Sequence, residues 1–289
     1  MGGSFEYTGA PYIAAISALK TGADLSFVFC SRDAGTAIKS YGPEIIVLPS
    51  LRTQQEAEND KHPQTSQQIV SDVMSWVKRL HVLVVGPGLG RDQLMQETTK
   101  GIIDGAKKSN IPLVIDADAL WAVENDPSLV QDYKPAILTP NINEFRRICT
   151  RVLSRDVTNE DRNATVMELA KKLGYVTIVS KGPTDIISDG NIVVECSQES
   201  SPRRVGGQGD VLAGTIGTFV AWANREDLQI SPAQNETAIS KWVLAAYGGC
   251  TLTRDSAKTS FSLKKRSMVA YDLVEVLGPS FFNLFEHKL

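Results

Sequence analysis

The sequence predicts an α/β fold of the doubly wound kind, a mostly parallel sheet flanked by helices on both faces, with a late β-hairpin. Three observations predict it. Short β-branched runs alternate with longer segments of 3.6-residue period. Several runs, such as Val82-Leu83-Val84-Val85, are apolar at every position, as strands covered on both faces must be. The glycine-rich and polar clusters fall directly after these runs, where open α/β sheets bind ligands.

Taken in order, strands are expected at Leu25 to Cys30, Glu44 to Leu48, His81 to Val85, Pro112 to Ile115, Ala136 to Leu138 and Val176 to Ser180. Asp185 to Ser188 and Asn191 to Glu195 then flank Asp189-Gly190, a strong hairpin signal. Helical patterns at about 209 to 223, 234 to 250 and 267 to 277 finish the chain. The polar stretch from Arg52 to Gln68 reads as an exposed loop running into a helix, so residues 1–289 are read as one domain.

Composition excludes several function classes. With 30 Lys and Arg against 33 Asp and Glu, the net charge of −3 supplies no drive toward nucleic acid or anionic lipid. No apolar run reaches the length of a membrane span, and Met-Gly-Gly-Ser-Phe-Glu-Tyr lacks the features of a signal peptide, so a cytoplasmic protein is expected. Cys30, Cys149, Cys196 and Cys250 are widely spaced and read as buried thiols. His62, His81 and His287 form neither a metal site nor a triad. There is no Gly-Lys dipeptide for a P-loop and no G-x-S-x-G elbow. The sequence leaves room for a homo-oligomer without specifying one.

Five clusters could carry chemistry. In Val205-Gly206-Gly207-Gln208-Gly209-Asp210, glycines open a helix, so its free N–H groups and positive dipole end can approach a phosphate. Asp210 in the first turn is either a complement to the dipole or a base that takes a proton from an attacking hydroxyl. Asn141-Ile142-Asn143-Glu144-Phe145-Arg146-Arg147 follows a strand. It is either a capping box of Asn141 and Glu144 or an N-x-x-E that holds water or Mg²⁺ near phosphates, with Arg147 available to anions. Gly86-Pro87-Gly88-Leu89-Gly90 departs from the dinucleotide spacing, because Arg91 stands where G-x-G-x-x-G needs its third glycine, but it suits a glycine-rich wall. Lys181-Gly182-Pro183-Thr184-Asp185 is a surface turn or one side of a nucleotide pocket. In Asp116-Ala117-Asp118, Asp118 is expected to cap a helix, and Asp116 either faces the crevice or ends the strand.

With these clusters in order, and with Tyr7-Thr8-Gly9-Ala10-Pro11-Tyr12 and Gly22-Ala23-Asp24-Leu25 before them, the chain resembles the ATP-dependent NAD(P)H-hydrate dehydratases of eukaryotic type, in the ribokinase-like superfamily. The resemblance covers essentially all of the chain. It implies removal of water from the 6-hydroxyl of hydrated NADH or NADPH, with ATP as co-substrate and Mg²⁺. It implies that Gly88, Asn141, Ile142, Asn143, Glu144, Phe145, Arg146, Arg147 and Asp210 contact the hydrated cofactor, that Asp210 is catalytic, and that Mg²⁺ lies near Asn141 and Glu144. It places ATP on Lys181, Gly182, Pro183, Thr184 and Asp185 and on Ser200, Ser201, Pro202, Arg203, Arg204, Val205, Gly206, Gly207, Gln208 and Gly209. The rivals are a vitamin-precursor kinase on the same fold, which would release its phosphoester intact, and a nucleotide-binding protein without turnover. Members of the family carry an apolar strand before Gly-Gly-Ser-x-x-Tyr-Thr-Gly, whereas Met1 here abuts Gly2-Gly3-Ser4; neighbours of that strand are therefore expected to expose backbone groups.

Overall fold

A computed structural model describes residues 1–225 and 239–286. The elements run α1 (Gly9–Thr21), β1 (Phe27–Ser31), α2 (Arg32–Ser40), β2 (Ile46–Leu51), α3 (Gln54–Glu58), α4 (Ser66–Val77), β3 (Leu83–Val85), α5 (Gln93–Lys108), β4 (Leu113–Ile115) and α6 (Ala117–Asn125). They continue with β5 (Ala136–Leu138), α7 (Ile142–Leu153), α8 (Arg162–Lys172), β6 (Thr177–Ser180), β7 (Asp185–Ser188), β8 (Val193–Cys196), α9 (Gln208–Ala223), α10 (Lys241–Lys264) and α11 (Ala270–Phe281).

One sheet has the order β3-β4-β5-β6-β7-β8, and its first four strands are parallel. The period-2 alternation sorts their side chains between two cores. Leu113 and Ile115 of β4, Ala136 and Leu138 of β5 and Ile178 of β6 face a core shared with Ile69 and Val73 of α4 and Ile102 and Ile103 of α5. Val114, Ile137 and Val179 face the opposite way, onto Leu212, Ile216 and Val220 of α9 and Val243 of α10. Each of the Val, Leu and Ile side chains among them stabilises the fold by about 1.5 to 3 kcal/mol, which is why strands of three residues suffice. The hairpin turns at Gly190 (φ +90°), and the Asp189 carboxylate accepts from the Asn191 N–H at 2.9 Å.

β1 and β2 form a separate parallel pair. The first three residues lie between that pair and the larger sheet. The Met1 amino group donates to the Val84 carbonyl at 2.7 Å, the Gly86 N–H donates to the Met1 carbonyl at 3.0 Å, and the Gly2 N–H donates to the Phe29 carbonyl at 2.9 Å.

Two expectations are corrected. The polar stretch before α4 contains the short helix α3, closed by a capping box of Thr53 and Glu56. The helix expected at 234 to 250 is α10, which runs to Lys264; residues 226–238 and His287 lie outside the described residues. Periodicity fades after Cys250 because the inward side is built from small polar residues that bond within the helix pair. Thr253 Oγ1 donates to the Gly249 carbonyl at 2.8 Å and lies 3.0 Å from Thr215 Oγ1 of α9. The four cysteines are buried free thiols, and no helix among the described residues is long and apolar enough to cross a membrane.

Candidate active site at the carboxyl ends of the parallel strands

The ends of β3, β4, β5 and β6 deliver Gly86, Asp116, Thr139 and Lys181 to one rim of the sheet, as the connectivity of an open parallel sheet requires. The N-terminus of α9 closes over this rim. Its cap is Gly207 at φ +91°, a left-handed conformation, and a Cβ there would stand 2.7 Å from that of Ala270. Under the turn lies an ion pair: Lys181 Nζ is 2.8 Å from Asp116 Oδ1, and the Asp116 side chain is only 3% exposed. A Cβ placed on Gly209 would be 3.5 Å from Lys181 Nζ and 3.7 Å from Asp116 Oδ2, so the first turn of the helix rests directly on the pair.

This placement determines the state of Asp210. Burial, reinforced by the negative charges of Asp116 and Asp118 and opposed by Lys181, pushes its carboxyl up to about 7. A dipole-complementing carboxylate on a helix surface would stay well ionised at neutral pH; Asp210 is poised between acid and base. For Lys181, burial works against the cation, but Asp116, Glu144 and Asp210 outweigh it and hold the ammonium above its ordinary value. The backbone is strained here as well: Ala117, directly after Asp116, has φ +48°.

The Asn141 to Arg147 segment realises the capping box. Asn141 Oδ1 accepts from the N–H groups of Asn143 (3.0 Å) and Glu144 (3.1 Å), and Glu144 Oε2 accepts from the Asn141 N–H at 2.7 Å. Burial raises the Glu144 carboxyl, with Lys181 and Arg147 among the groups opposing that shift. Phe145 is 2% exposed, and its ring packs in the core. Arg147 is paired to Glu124 at 2.8 Å and, like Ile142, Asn143 and Arg146, is exposed. Gly88 (φ +62°) is buried beneath Tyr7, so the glycine-rich wall contacts the N-terminal segment. Asp118 lies inside the first turn of α6 instead of capping it, and its Oδ2 accepts from the Gly90 N–H at 2.9 Å.

The Lys181 to Asp185 loop is fastened by two arginines that sequence reading passed over. Arg162 donates to the carbonyls of Ser180 and Thr184, the latter at 3.0 Å. Arg254, 12% exposed, pairs with Asp185 at 3.0 Å and donates to the Pro183 carbonyl and, at 2.6 Å, to the Gln198 carbonyl. Arg254 therefore ties this loop to the segment leading into Ser200 to Gly209, two stretches expected to share ATP. Within that segment the Arg203 N–H donates to Ser201 Oγ at 2.9 Å, Pro202, Arg204 and Gly206 are exposed, and Val205 and Gln208 are half-buried. For Asp116 the first of the two readings, facing the crevice, fits the structure, while its pairing with Lys181 was missed; for Arg254 the overlooked signal was a lone Arg on the inward side of a helix. Among the described residues no group of three or more His, Cys, Asp or Glu side chains is arranged to hold a metal.

The architecture is shared with solved structures. A Streptococcus mutans protein aligns with a TM-score of 0.73 at 21% identity, covering 97% of this chain and 87% of that one. An ADP/ATP-dependent NAD(P)H-hydrate dehydratase from Bacillus subtilis, co-crystallised with ATP and Mg²⁺, aligns with a TM-score of 0.68 at 20% identity over 99% of this chain and 88% of that one. At the sequence level, ATP-dependent (S)-NAD(P)H-hydrate dehydratases match at 48% identity in Bos taurus (99% of this chain, 82% of the relative) and 45% in Homo sapiens (99% and 77%). A family model described as NAD(P)H-hydrate dehydratase matches residues 1–268, and with these relatives it establishes that the chain belongs to the NAD(P)H-hydrate dehydratase family.

Proposed function

We propose that the chain catalyses the ATP-dependent dehydration of hydrated NADH and NADPH, releasing the reduced dinucleotide, ADP and phosphate. The observation that carries this reading is Asp210: a half-buried carboxylate poised near neutrality in the first turn of a helix opened by Gly206 and Gly207, above the Lys181–Asp116 pair. A hydroxyl leaves poorly and a phosphate ester leaves well. Asp210 takes the proton of the 6-hydroxyl as its oxygen bonds to the γ-phosphorus and ADP departs. The C6–O bond then breaks and phosphate leaves with the bonding electrons, the neighbouring ring carbon gives up a proton, and the double bond of the dihydronicotinamide is restored. The N–H groups of Gly207, Gln208 and Gly209 meet the charge that develops on the transferred phosphoryl.

In this reading Gly88, the backbone of Asn141 to Arg147 and Asp210 contact the hydrated cofactor, and Lys181 to Asp185 with Ser200 to Gly209 hold ATP. Mg²⁺ uses few protein ligands when phosphates and water supply the others, so the lack of a three-carboxylate cage among the described residues suits it. Glu144 would hold it; Asn141 Oδ1 is already committed to two N–H groups. Bound there, Mg²⁺ would screen the negative charge of the phosphates.

The test is hydrated NADH supplied with ATP and Mg²⁺, followed by recovery of the reduced-nicotinamide absorbance and by mass spectrometry. ADP, phosphate and NADH support the dehydratase. A stable phosphorylated product with no NADH supports the small-molecule kinase, and ATP binding with no product leaves a binding protein.

A further inference from the structure

On the proposed reading, the dehydration sets free two protons and Asp210 accounts for one of them. It takes the proton of the 6-hydroxyl during phosphoryl transfer, so it is occupied when the neighbouring ring carbon, C5, gives up its own. The lone pair of the ring nitrogen expels phosphate from C6 and leaves an iminium, whose C5–H is acidic. Unless a base removes that proton, water adds back to C6, and ATP is consumed only to regenerate the substrate.

The carboxylates at the rim differ in how free they are to act. Asp116 is 3% exposed and paired to Lys181 at 2.8 Å, with its other oxygen under Gly209. Glu144 Oε2 accepts from the Asn141 N–H at 2.7 Å, on the segment proposed to hold Mg²⁺. Asp118 is placed differently. Its Oδ2 accepts from the Gly90 N–H at 2.9 Å, which seats it on the glycine-rich wall two residues from Gly88. Its Oδ1 faces Arg91, whose Nε stands 3.7 Å away, beyond hydrogen-bond distance, while the guanidinium leans over Trp121, 5.5 Å from the ring centroid. One oxygen thus orients the group and the other keeps its lone pairs. The Asp118 side chain is 24% exposed, so solvent can carry a proton away after each turnover. Between the two acids stands Ala117 at φ +48°, the turn that sends Asp116 under α9 and Asp118 to the glycine-rich wall. The charge of Asp118 is nonetheless felt at Asp210, so the two carboxylates share one crevice.

We infer that Asp118 is the second base of the reaction, its Oδ1 taking the C5 proton of the iminium. The electrons of the C5–H bond form the C5–C6 double bond, those of the C6–N π bond return to the ring nitrogen, and the proton passes from Asp118 to solvent. The assignment rests on the dehydratase reading and divides its chemistry between two aspartates: Asp210 of α9 serves phosphoryl transfer, and Asp118 of α6 serves elimination.

Asp118→Asn keeps an acceptor for the Gly90 N–H and removes the base. The readout is the ratio of ADP to NADH formed from hydrated NADH, ATP and Mg²⁺ in heavy-oxygen water, together with the label in the 6-hydroxyl of the remaining substrate, against a control without ATP. The parent chain is expected to give a ratio of about one and no ATP-dependent label. In Asp118→Asn the ratio should rise about tenfold or more, with ATP-dependent label in the substrate, because phosphoryl transfer continues while the iminium takes back water. Asp118→Ala should behave alike, and added formate, a carboxylate for the vacated space, should lower its ratio again. A merely structural loss slows ADP and NADH together and leaves the ratio at that of the parent. That result in both variants overturns the assignment and leaves the ring proton to the departing phosphate. A parent chain that forms no NADH overturns the dehydratase reading itself, and this assignment with it, so the two failures are distinguishable.

Discussion

Lys181 and Asp116 form a 2.8 Å ion pair on which the first turn of α9 rests, and the pair thereby sets the charge felt by Asp210. The two partners act in opposite directions: the Asp116 charge raises the Asp210 carboxyl and the Lys181 charge lowers it. The helix dipole adds a further pull toward the anion at this position.

As the base of the proposed reaction, Asp210 would have to be deprotonated to act, so kcat/KM is expected to rise with pH through a limb near 7. Asp116→Asn removes a negative neighbour and frees Lys181 to face Asp210, so the limb should move to lower pH. Lys181→Met should move it higher. A pH–rate profile for each variant checks both signs; a limb that stays in place in both would remove the pair from control of Asp210.

Asp210→Asn is expected to keep ATP binding and lose about 10² to 10⁴ in turnover, the range of general-base catalysis. The same change should stabilise the fold. Asp210 is raised from 3.8 to about 7, so the native state holds a proton that the unfolded chain has released, and stability falls as pH rises between those values. Asn carries no such charge. Its advantage should be absent below about pH 4 and reach roughly 2 to 4 kcal/mol above pH 7, measured by denaturant unfolding across pH.

Much of this was legible in advance because the signals are local. Ala136 to Leu138 and Asp185 to Ser188 are strands with the expected bounds, since a short β-branched run between breakers leaves few alternatives. The glycine turn before Asp210 was legible for the same reason. What escaped depends on contacts distant in sequence. Asp116 and Lys181 are 65 residues apart, and nothing near either announces the other. Arg254 stands on a part of α10 where hydrophobic periodicity has faded, so neither its helix nor its inward direction could be read.

Gly86 has φ +123°, and a Cβ there would collide with the Asp116 carbonyl oxygen. Gly86→Ala combines a disfavoured backbone conformation with overpacking against main chain, together about 2 to 5 kcal/mol. The expected result is a lower unfolding midpoint and, because β3 and β4 must part to admit the methyl group, a displaced Asp116. A variant as stable as the parent chain would show that the turn relaxes freely.

On the proposed reading, Arg254 links the fold to nucleotide binding. Its guanidinium pairs with the buried Asp185 carboxylate and bonds to the carbonyls of Pro183 and Gln198, so one side chain of α10 holds the Lys181 to Asp185 loop and the entry to the phosphate turn in fixed relation. Arg254→Met leaves Asp185 buried without its cation, a loss of about 3 to 5 kcal/mol. The double variant Arg254→Met with Asp185→Asn removes both charges and should recover much of that stability. It should not recover ATP affinity, because the carbonyls of Pro183 and Gln198 remain untied in the double variant. Thermal unfolding and ATP titration on the two variants separate the roles: stability rescued with affinity still reduced is the expected outcome, and affinity restored along with stability would mean that Arg254 acts on ATP only through the fold.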